Sequence, residues 1–339
     1  MKKIGLLIWI VALTILLIGC TQAKNEEENM EGSQSIEKEK VTVVLDWTPN
    51  TNHTGMYVAL EKGYYEDSGL DVEIIQPPEG GALSLVAANK AQFAVTFQEE
   101  IGPALAAENA LPVTAIATII DHNLSGIISL KEKGIDSPKK LEGANYASWD
   151  TPFEKGILKS IVEQDGGDFH KVNLIPNTVT DVISALQTNI DAVWVYYGWD
   201  GIATELAGLE TNYISIRDVN PTFDFYTPIL ASGNDYLQEN ADQVRKFLAA
   251  TAKGYEFAIE NPDEAAEILV NYAPEVDLAL AKASQAFLAN EYRAEKEQWG
   301  VIDKTRWTNF YQWMYAHDLL AKDLGSQGFT NEFLPQQEG

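Results

Sequence analysis

The chain has 339 residues and carries 24 lysines and arginines against 50 aspartates and glutamates, a formal net charge of −26. That balance argues against nucleic acid and against binding anionic lipid through a basic face, because both are held by clustered basic side chains. Only one cysteine is present, Cys20, so no disulfide can form within the chain. Strong acidity alone points to no ligand, since a solvated acidic surface is its usual cause.

The N-terminus sets location. Lys2 and Lys3 precede an apolar run from Ile4 to Ile18, broken only by Gly5 and Thr14, and "LIGC" follows. The run is too short for a bilayer core, which needs about 20 helical residues. It reads as a signal peptide over residues 1–19. "LIGC" resembles a bacterial lipobox, which makes Cys20 the lipidation site and anchors the protein outside the cytoplasm. Cleavage there removes Lys2 and Lys3 and takes the charge from −26 to −28. Residues 20–40 comprise the modified cysteine and "TQAKNEEENMEGSQSIEKEK", too polar to bury a core and read as a flexible tether.

Strand-like and helix-like segments alternate from Val41 onward. "VTVVLDW" (41–47) leads to a helical stretch at 55–69, then "DVEIIQ" (71–76), helical 81–90 and "QFAVTF" (92–97). A helix at 99–110 precedes strands at 113–120 and 125–130. A second set follows: "KKLEGANYASWD", a helix from Thr151 to Glu163, "KVNLIP", a helix from Val179 to Thr188, and "DAVWVYY". "YTPILASG" (226–233) is one more strand, and helical periodicity continues to the C-terminus, most clearly at 241–260. The alternation predicts an α/β protein with mainly parallel sheets. A body of this length suggests two lobes with a cleft. Placing the crossings at 125–130 and 226–233 gives one lobe from residues 41–128 and 229–339 and a second from 129–228.

Ligands in open α/β sheets sit beyond the carboxyl ends of strands. Five segments occupy such ends: Asp46–Tyr57, Phe97–Glu100, "NYASWDTPFE" (145–154), "VWVYYGWDG" (193–201) and "PTFDFYTP" (221–228). Together they are rich in Trp, Tyr, Phe, Asp and Glu, and none contains Lys or Arg. A site for sulfonate, nitrate or phosphate normally offers basic side chains or a bare helix N-terminus. The one helix start of that kind, Gly80-Gly81, is preceded by Glu79. Rings and carboxylates suit a flat, neutral-to-cationic heterocycle with N–H donors.

The candidate rings are Trp47, Tyr57, Tyr197 and Trp199, and the candidate polar contacts are Asn52, His53, Gln98, Glu99 and Asp200. Packing alone accounts for Trp194, and Asp150 before Thr151-Pro152 reads as a helix cap. Glu99 and Glu100 serve either a ligand or a helix N-terminus. Catalytic and metal patterns are missing: the four histidines, His53, His122, His170 and His317, show no zinc spacing, and there is no GxSxG, GxxxxGK[ST] or GxGxxG after a strand. No cofactor and no metal is expected.

"VVLDWTPNTNHTGMYVALEKGYYEDSGLDVEI", "VTFQEE" and "DAVWVYYGWDG" resemble the NMT1/THI5-like family, and within it the bacterial ABC-transporter lipoproteins for thiamin pyrimidine precursors. "DWTPNTNHTG" is the specific motif; the C-terminal helices are generic. The resemblance implies a two-lobed type II periplasmic-binding-protein (Venus-flytrap) fold with C-terminal helices. It also implies a monomer that hands a salvaged aminopyrimidine to an ABC permease and ATPase. By the same analogy the pyrimidine is sandwiched by Trp47 and Tyr197 or Trp199 and meets Asn52, His53, Glu99 and Asp200. Hydroxymethylpyrimidine or a flavin precursor is an alternative ligand. The family also includes pyrimidine-synthesising fungal enzymes with iron and a cysteine cluster, from which this chain departs, having no cysteine past Cys20.

Overall fold

The computed structural model describes residues 38–336. The segments expected to be a signal peptide and a lipidation site at Cys20, and nearly all of the expected tether, lie outside the described residues.

The β-branched run "VTVV" closes β1 (Glu39–Val44), and a Trp-Pro-Asn loop leads into α1 (Thr54–Glu61). The helix expected over 55–69 is interrupted: Gly63, at φ +72°, separates α1 from α2 (Tyr64–Asp67), a conformation that costs glycine nothing. Then come β2 (Leu70–Ile75), α3 (Leu83–Ala87), β3 (Phe93–Thr96), α4 (Gln98–Ala106), β4 (Val113–Thr118), β5 (Ser125–Leu130) and β6 (Asn145–Ser148). The next elements are α5 (Pro152–Gln164), β7 (Asn173–Pro176), α6 (Val182–Leu186), β8 (Ala192–Tyr196), α7 (Ile202–Leu206), β9 (Thr211–Ser215) and α8 (Ile216–Val219). The chain ends with β10 (Ile229–Gly233), α9 (Asn234–Glu239), α10 (Ala241–Glu260), α11 (Pro262–Tyr272), α12 (Leu278–Leu288) and α13 (Lys304–Ala316).

Among the described residues, ten strands make two five-stranded sheets, ordered β2-β1-β3-β10-β4 and β7-β6-β8-β5-β9. Mainly parallel sheets do not occur. Each sheet is half parallel and half antiparallel, because β10 runs against β3 and β4, and β5 runs against β8 and β9. These are the two strands that enter from the other sheet, through segments 119–124 and 216–228. They do not return through a helical crossover, which is what parallel pairing requires. β9 has no place in the sequence reading: "TNYIS" is an edge strand with one buried side chain, so the alternation that marks a half-buried strand is missing.

α10 shows why periodicity works where burial is one-sided. Val244, Phe247, Leu248, Thr251, Tyr255 and Ala258, one face of the helix at i, i+3 and i+4 spacing, are buried. Its centre meets α1 at a glycine pair. A Cβ on Gly254 would lie 1.9 Å from the Gly55 carbonyl oxygen, and a Cβ on Gly55 would enter the Tyr255 ring. The approach requires the absence of side chains at both positions. Gly254→Ala is expected to lower the unfolding free energy by about 2 kcal/mol or more, read from urea unfolding. An unchanged midpoint would show that the two helices can part at no cost.

Candidate functional site

Beyond the ends of β1, β3, β6 and β8 lies a cavity of about 480 Å³, within the usual range for small-molecule sites. Its wall contains Asp46, Trp47, Asn50, Asn52, Phe97, Glu99, Glu100, Trp149, Thr151, Phe153, Tyr196, Trp199, Asp200 and Pro228. No lysine, arginine, histidine or cysteine stands among these described residues. Six aromatic rings and four carboxylates define its chemistry.

Each group is held by its neighbours in sequence. The loop after β1 is a hydrogen-bonded knot: Asn50 Oδ1 accepts from Asn52 N (2.9 Å), and Asn50 N donates to His53 Nδ1 (3.2 Å). With Nδ1 an acceptor, His53 Nε2 carries the proton and donates to Asp46 Oδ1 at 2.6 Å. His53 is fully buried, so its role is to fix Asp46 at the cavity edge. From α10, Tyr255 Oη donates to Asn52 O (2.7 Å), and Tyr292 Oη donates to Thr51 O (2.6 Å). Trp47, 45% exposed, is left standing at the mouth.

At the start of α4, Gln98 is a bolt. Its Nε2 donates to Trp307 O (3.0 Å) and its Oε1 accepts from Tyr226 N (2.9 Å). The neighbouring Glu99 is turned the other way, with Oε2 buried and without a hydrogen-bond partner. Burial, with the Glu100 charge adding, pushes the Glu99 carboxyl well above the usual range. Glu100 accepts from Thr96 Oγ1 at 2.7 Å.

In the second sheet, β8 ends at Tyr196 and passes into a π-helical turn, Tyr197–Gly201, which brings Trp199 and Asp200 to the cavity. Such turns often occur at functional sites. Asp200 is pushed up to about 6 by burial, only partly offset by the Tyr196 amide 3.4 Å from its Oδ2. The Tyr196 phenol is raised by burial and by the charges of Glu99, Asp46 and Glu100, so it stays neutral. Thr151, not Asp150, caps α5, accepting from Glu154 N (3.2 Å). Asp150 adopts φ +61° and pairs with Lys155. Trp149 and Phe153, on either side of this kink, both line the cavity and both lie against Trp194, at 5.7 and 6.2 Å between ring centres.

Of the nine ligand candidates from the sequence, the cavity wall takes Trp47, Asn52, Glu99, Trp199 and Asp200. The other four lie outside it. His53 and Gln98 are consumed by the scaffold contacts just described. Tyr57 is buried against Tyr272 (5.4 Å), and Tyr197 packs on Tyr213 (4.6 Å) and Phe287 while its hydroxyl donates to Glu205. Asp46, Asn50, Phe97, Glu100, Trp149, Thr151, Phe153, Tyr196 and Pro228 complete the wall. All nine belong to the five strand-end segments, so position along the chain was the available signal; which way each side chain points was not. Trp194 is buried, as packing predicts, though its indole Nε1 finds no partner.

Comparison with known proteins follows the same lines. The model of the NMT1/THI5-like family matches residues 50–265. The formylaminopyrimidine-binding protein of Halalkalibacterium halodurans is 29% identical, over 95% of this chain and 96% of its own. A protein of Legionella pneumophila named 4-amino-5-hydroxymethyl-2-methylpyrimidine phosphate synthase is 25% identical, over 88% of this chain and 93% of its own. Among solved structures, the periplasmic aliphatic sulphonate-binding protein SsuA of Escherichia coli superposes with a TM-score of 0.67 at 15% identity, covering 89% of this chain and 94% of that one. The two mixed sheets and their helices are a type II periplasmic-binding-protein fold, and the chain belongs to the NMT1/THI5-like family.

Proposed function

We propose that this chain is the extracytoplasmic binding component of an ABC importer, capturing a thiamin pyrimidine precursor, formylaminopyrimidine, without altering it. One observation carries the reading: four carboxylates and six rings meet in a single cavity whose wall holds no basic side chain. A 4-aminopyrimidine answers each feature. Its faces stack on indole and phenyl rings, contributing about 0.5–1.5 kcal/mol per pair beyond area burial. Its amino group, and its ring nitrogen when protonated, donate to carboxylates such as Glu99 and Asp200. An anion would meet carboxyl groups there and no basic side chain.

The named activities of relatives divide between binding and synthesis. The binding reading is favoured by a wall without histidine or cysteine, and by the greater identity to a pyrimidine-binding protein. Export through residues 1–19, lipid anchoring at Cys20, delivery as a monomer to a permease and ATPase, and the division into lobes 41–128 with 229–339 and 129–228 belong to the same proposal.

Calorimetric titration with formylaminopyrimidine, hydroxymethylpyrimidine and riboflavin, followed by mass spectrometry of the recovered ligand, tests it. Tightest one-to-one binding of the formylated compound is expected, at about micromolar or better, with the compound returned intact. Turnover, or preference for a sulfonate, would sink the reading.

Two substitutions separate contact from scaffold. Trp47→Ala, at an exposed ring, should weaken binding by about ten-fold without moving the thermal unfolding midpoint. Gln98→Ala should do the reverse, costing about 1–3 kcal/mol of stability through two unmade buried hydrogen bonds.

Asp200 links the site to pH. Its carboxyl shifts from an ordinary 3.8 to about 6 in the folded protein, so the native state holds this proton more tightly than the unfolded chain does. Its contribution therefore favours folding at low pH and is lost as pH rises from about 4 to 6. Asp200→Asn should raise the midpoint of the ligand-free protein at neutral pH, with the gain disappearing near pH 4. The same variant should bind the aminopyrimidine at least about ten-fold less tightly. A gain of equal size at both pH values would show that charge at Asp200 is not the cause.

A further inference from the structure

A second cluster of titratable groups gathers where the two sheets are joined, and none of its members lines the cavity. Asp121 and His122 belong to the first connecting segment, Asp224 to the second, and Glu295 to the loop between α12 and α13. Asp121 is 1% exposed. Its Oδ1 accepts from Arg306 Nη2 (2.7 Å) and pairs with Lys296, whereas its Oδ2 is buried without a hydrogen-bond partner. That oxygen stands 3.5 Å from His122 Nε2, which in turn lies 3.2 Å from Glu295 Oε2.

We propose that Asp121 Oδ2, His122 Nε2 and a carboxylate oxygen of Glu295 form a binding site for a divalent transition ion of the zinc type. Tetrahedral zinc with nitrogen and oxygen bonds of about 2.0–2.1 Å places its ligand atoms about 3.3 Å apart. The two spacings of 3.5 and 3.2 Å bracket that value. The outer contacts also fit. His122 Nδ1 lies 2.7 Å from Asp224 Oδ2, the carboxylate–imidazole pairing that fixes the tautomer and leaves Nε2 free to ligate. Arg306 Nη1, 2.9 Å from His122 Nδ1, has Asp224 Oδ2 at 2.8 Å as its acceptor, and Asn123 N donates to Asp224 Oδ1 at 2.9 Å.

The charge balance permits a cation. Asp121, Asp224 and Glu295 outnumber Arg306 and Lys296 by one, and both cations bind the Asp121 oxygen that the metal does not use. An imidazole with two carboxylates suits zinc, cobalt or nickel better than calcium or magnesium. Glu295 is exposed, so an ion can enter from solvent and keep water as a fourth ligand. Occupancy would tie the first connecting segment to the α12–α13 loop. The competing occupant is a proton: the Asp224 contact raises His122, which as imidazolium would donate from Nε2 to Glu295.

Titration of the metal-stripped full-length chain with zinc chloride, by calorimetry at about pH 7.5, tests the site. Expected are one saturable equivalent, a raised unfolding temperature, and affinity reduced at least about ten-fold in both Glu295→Gln and His122→Gln. Cobalt should give visible bands of a four-coordinate nitrogen–oxygen site without a thiolate charge-transfer band, which sets Cys20 aside as a ligand. The proposal is overturned if no saturable equivalent is found, or if Glu295→Gln binds zinc as tightly as the wild type. Because Glu295 is a solvent-facing side chain, that variant decides the matter even if His122→Gln does not fold.

Discussion

Negative charge collected in an apolar cavity, with no cation to balance it, is the constraint on which the site depends. Asp46, Glu99, Glu100 and Asp200 share one wall with six aromatic rings. Burial raises Glu99 and Asp200, so the ligand-free protein keeps acceptors and protons in an unfavourable place. A partner rich in N–H groups relieves that cost on entry; a molecule lacking them leaves it in place. A cavity so built disfavours partners without N–H donors as much as it favours those that have them. The fold itself is neutral in this respect, since a sulphonate-binding protein shares it at 15% identity.

Rigid support makes such a cavity possible. Asp46 is held by a buried imidazole whose tautomer is set by a backbone amide. Asn52 and Thr51 are tied by their carbonyls to tyrosines of the C-terminal half, and the close packing of Gly55 on Gly254 draws that half in. The loop that carries the first ring of the site is thus held by hydroxyls 203 and 241 positions further along the chain. Side chains placed this way lose little further freedom when a ligand arrives, which lowers the entropic cost of binding.

The joints between the sheets have their own electrostatic order. Arg306 reaches Asp121 on the first connecting segment and Asp224 and Tyr226 on the second, so a single guanidinium from α13 braces both. Asp224 stays below its ordinary value because His122 and Arg306 outweigh its burial. In contrast to the cavity, charge here is paired wherever it is buried, apart from one oxygen of Asp121. The molecule separates two uses of ionisable groups: compensated at the joints and uncompensated at the site.

The sequence by itself determined the alternation of strands and helices, the extent of α10, the acidic and aromatic content of the strand-end loops, and the lack of basic residues among them. These are properties of spacing and composition, carried by local chemistry that every folded arrangement must respect. The antiparallel course of β5 and β10, and the edge strand β9, depended on partners distant in the chain. So did the direction of each side chain: Glu99 faces the cavity while adjacent Gln98 is locked into the core, and Trp199 reaches the site while Tyr197 packs on Tyr213. Neighbouring residues of one loop share a composition signal but diverge by a large angle. Which of them lines the cavity is settled only when the second sheet and the C-terminal helices claim the others.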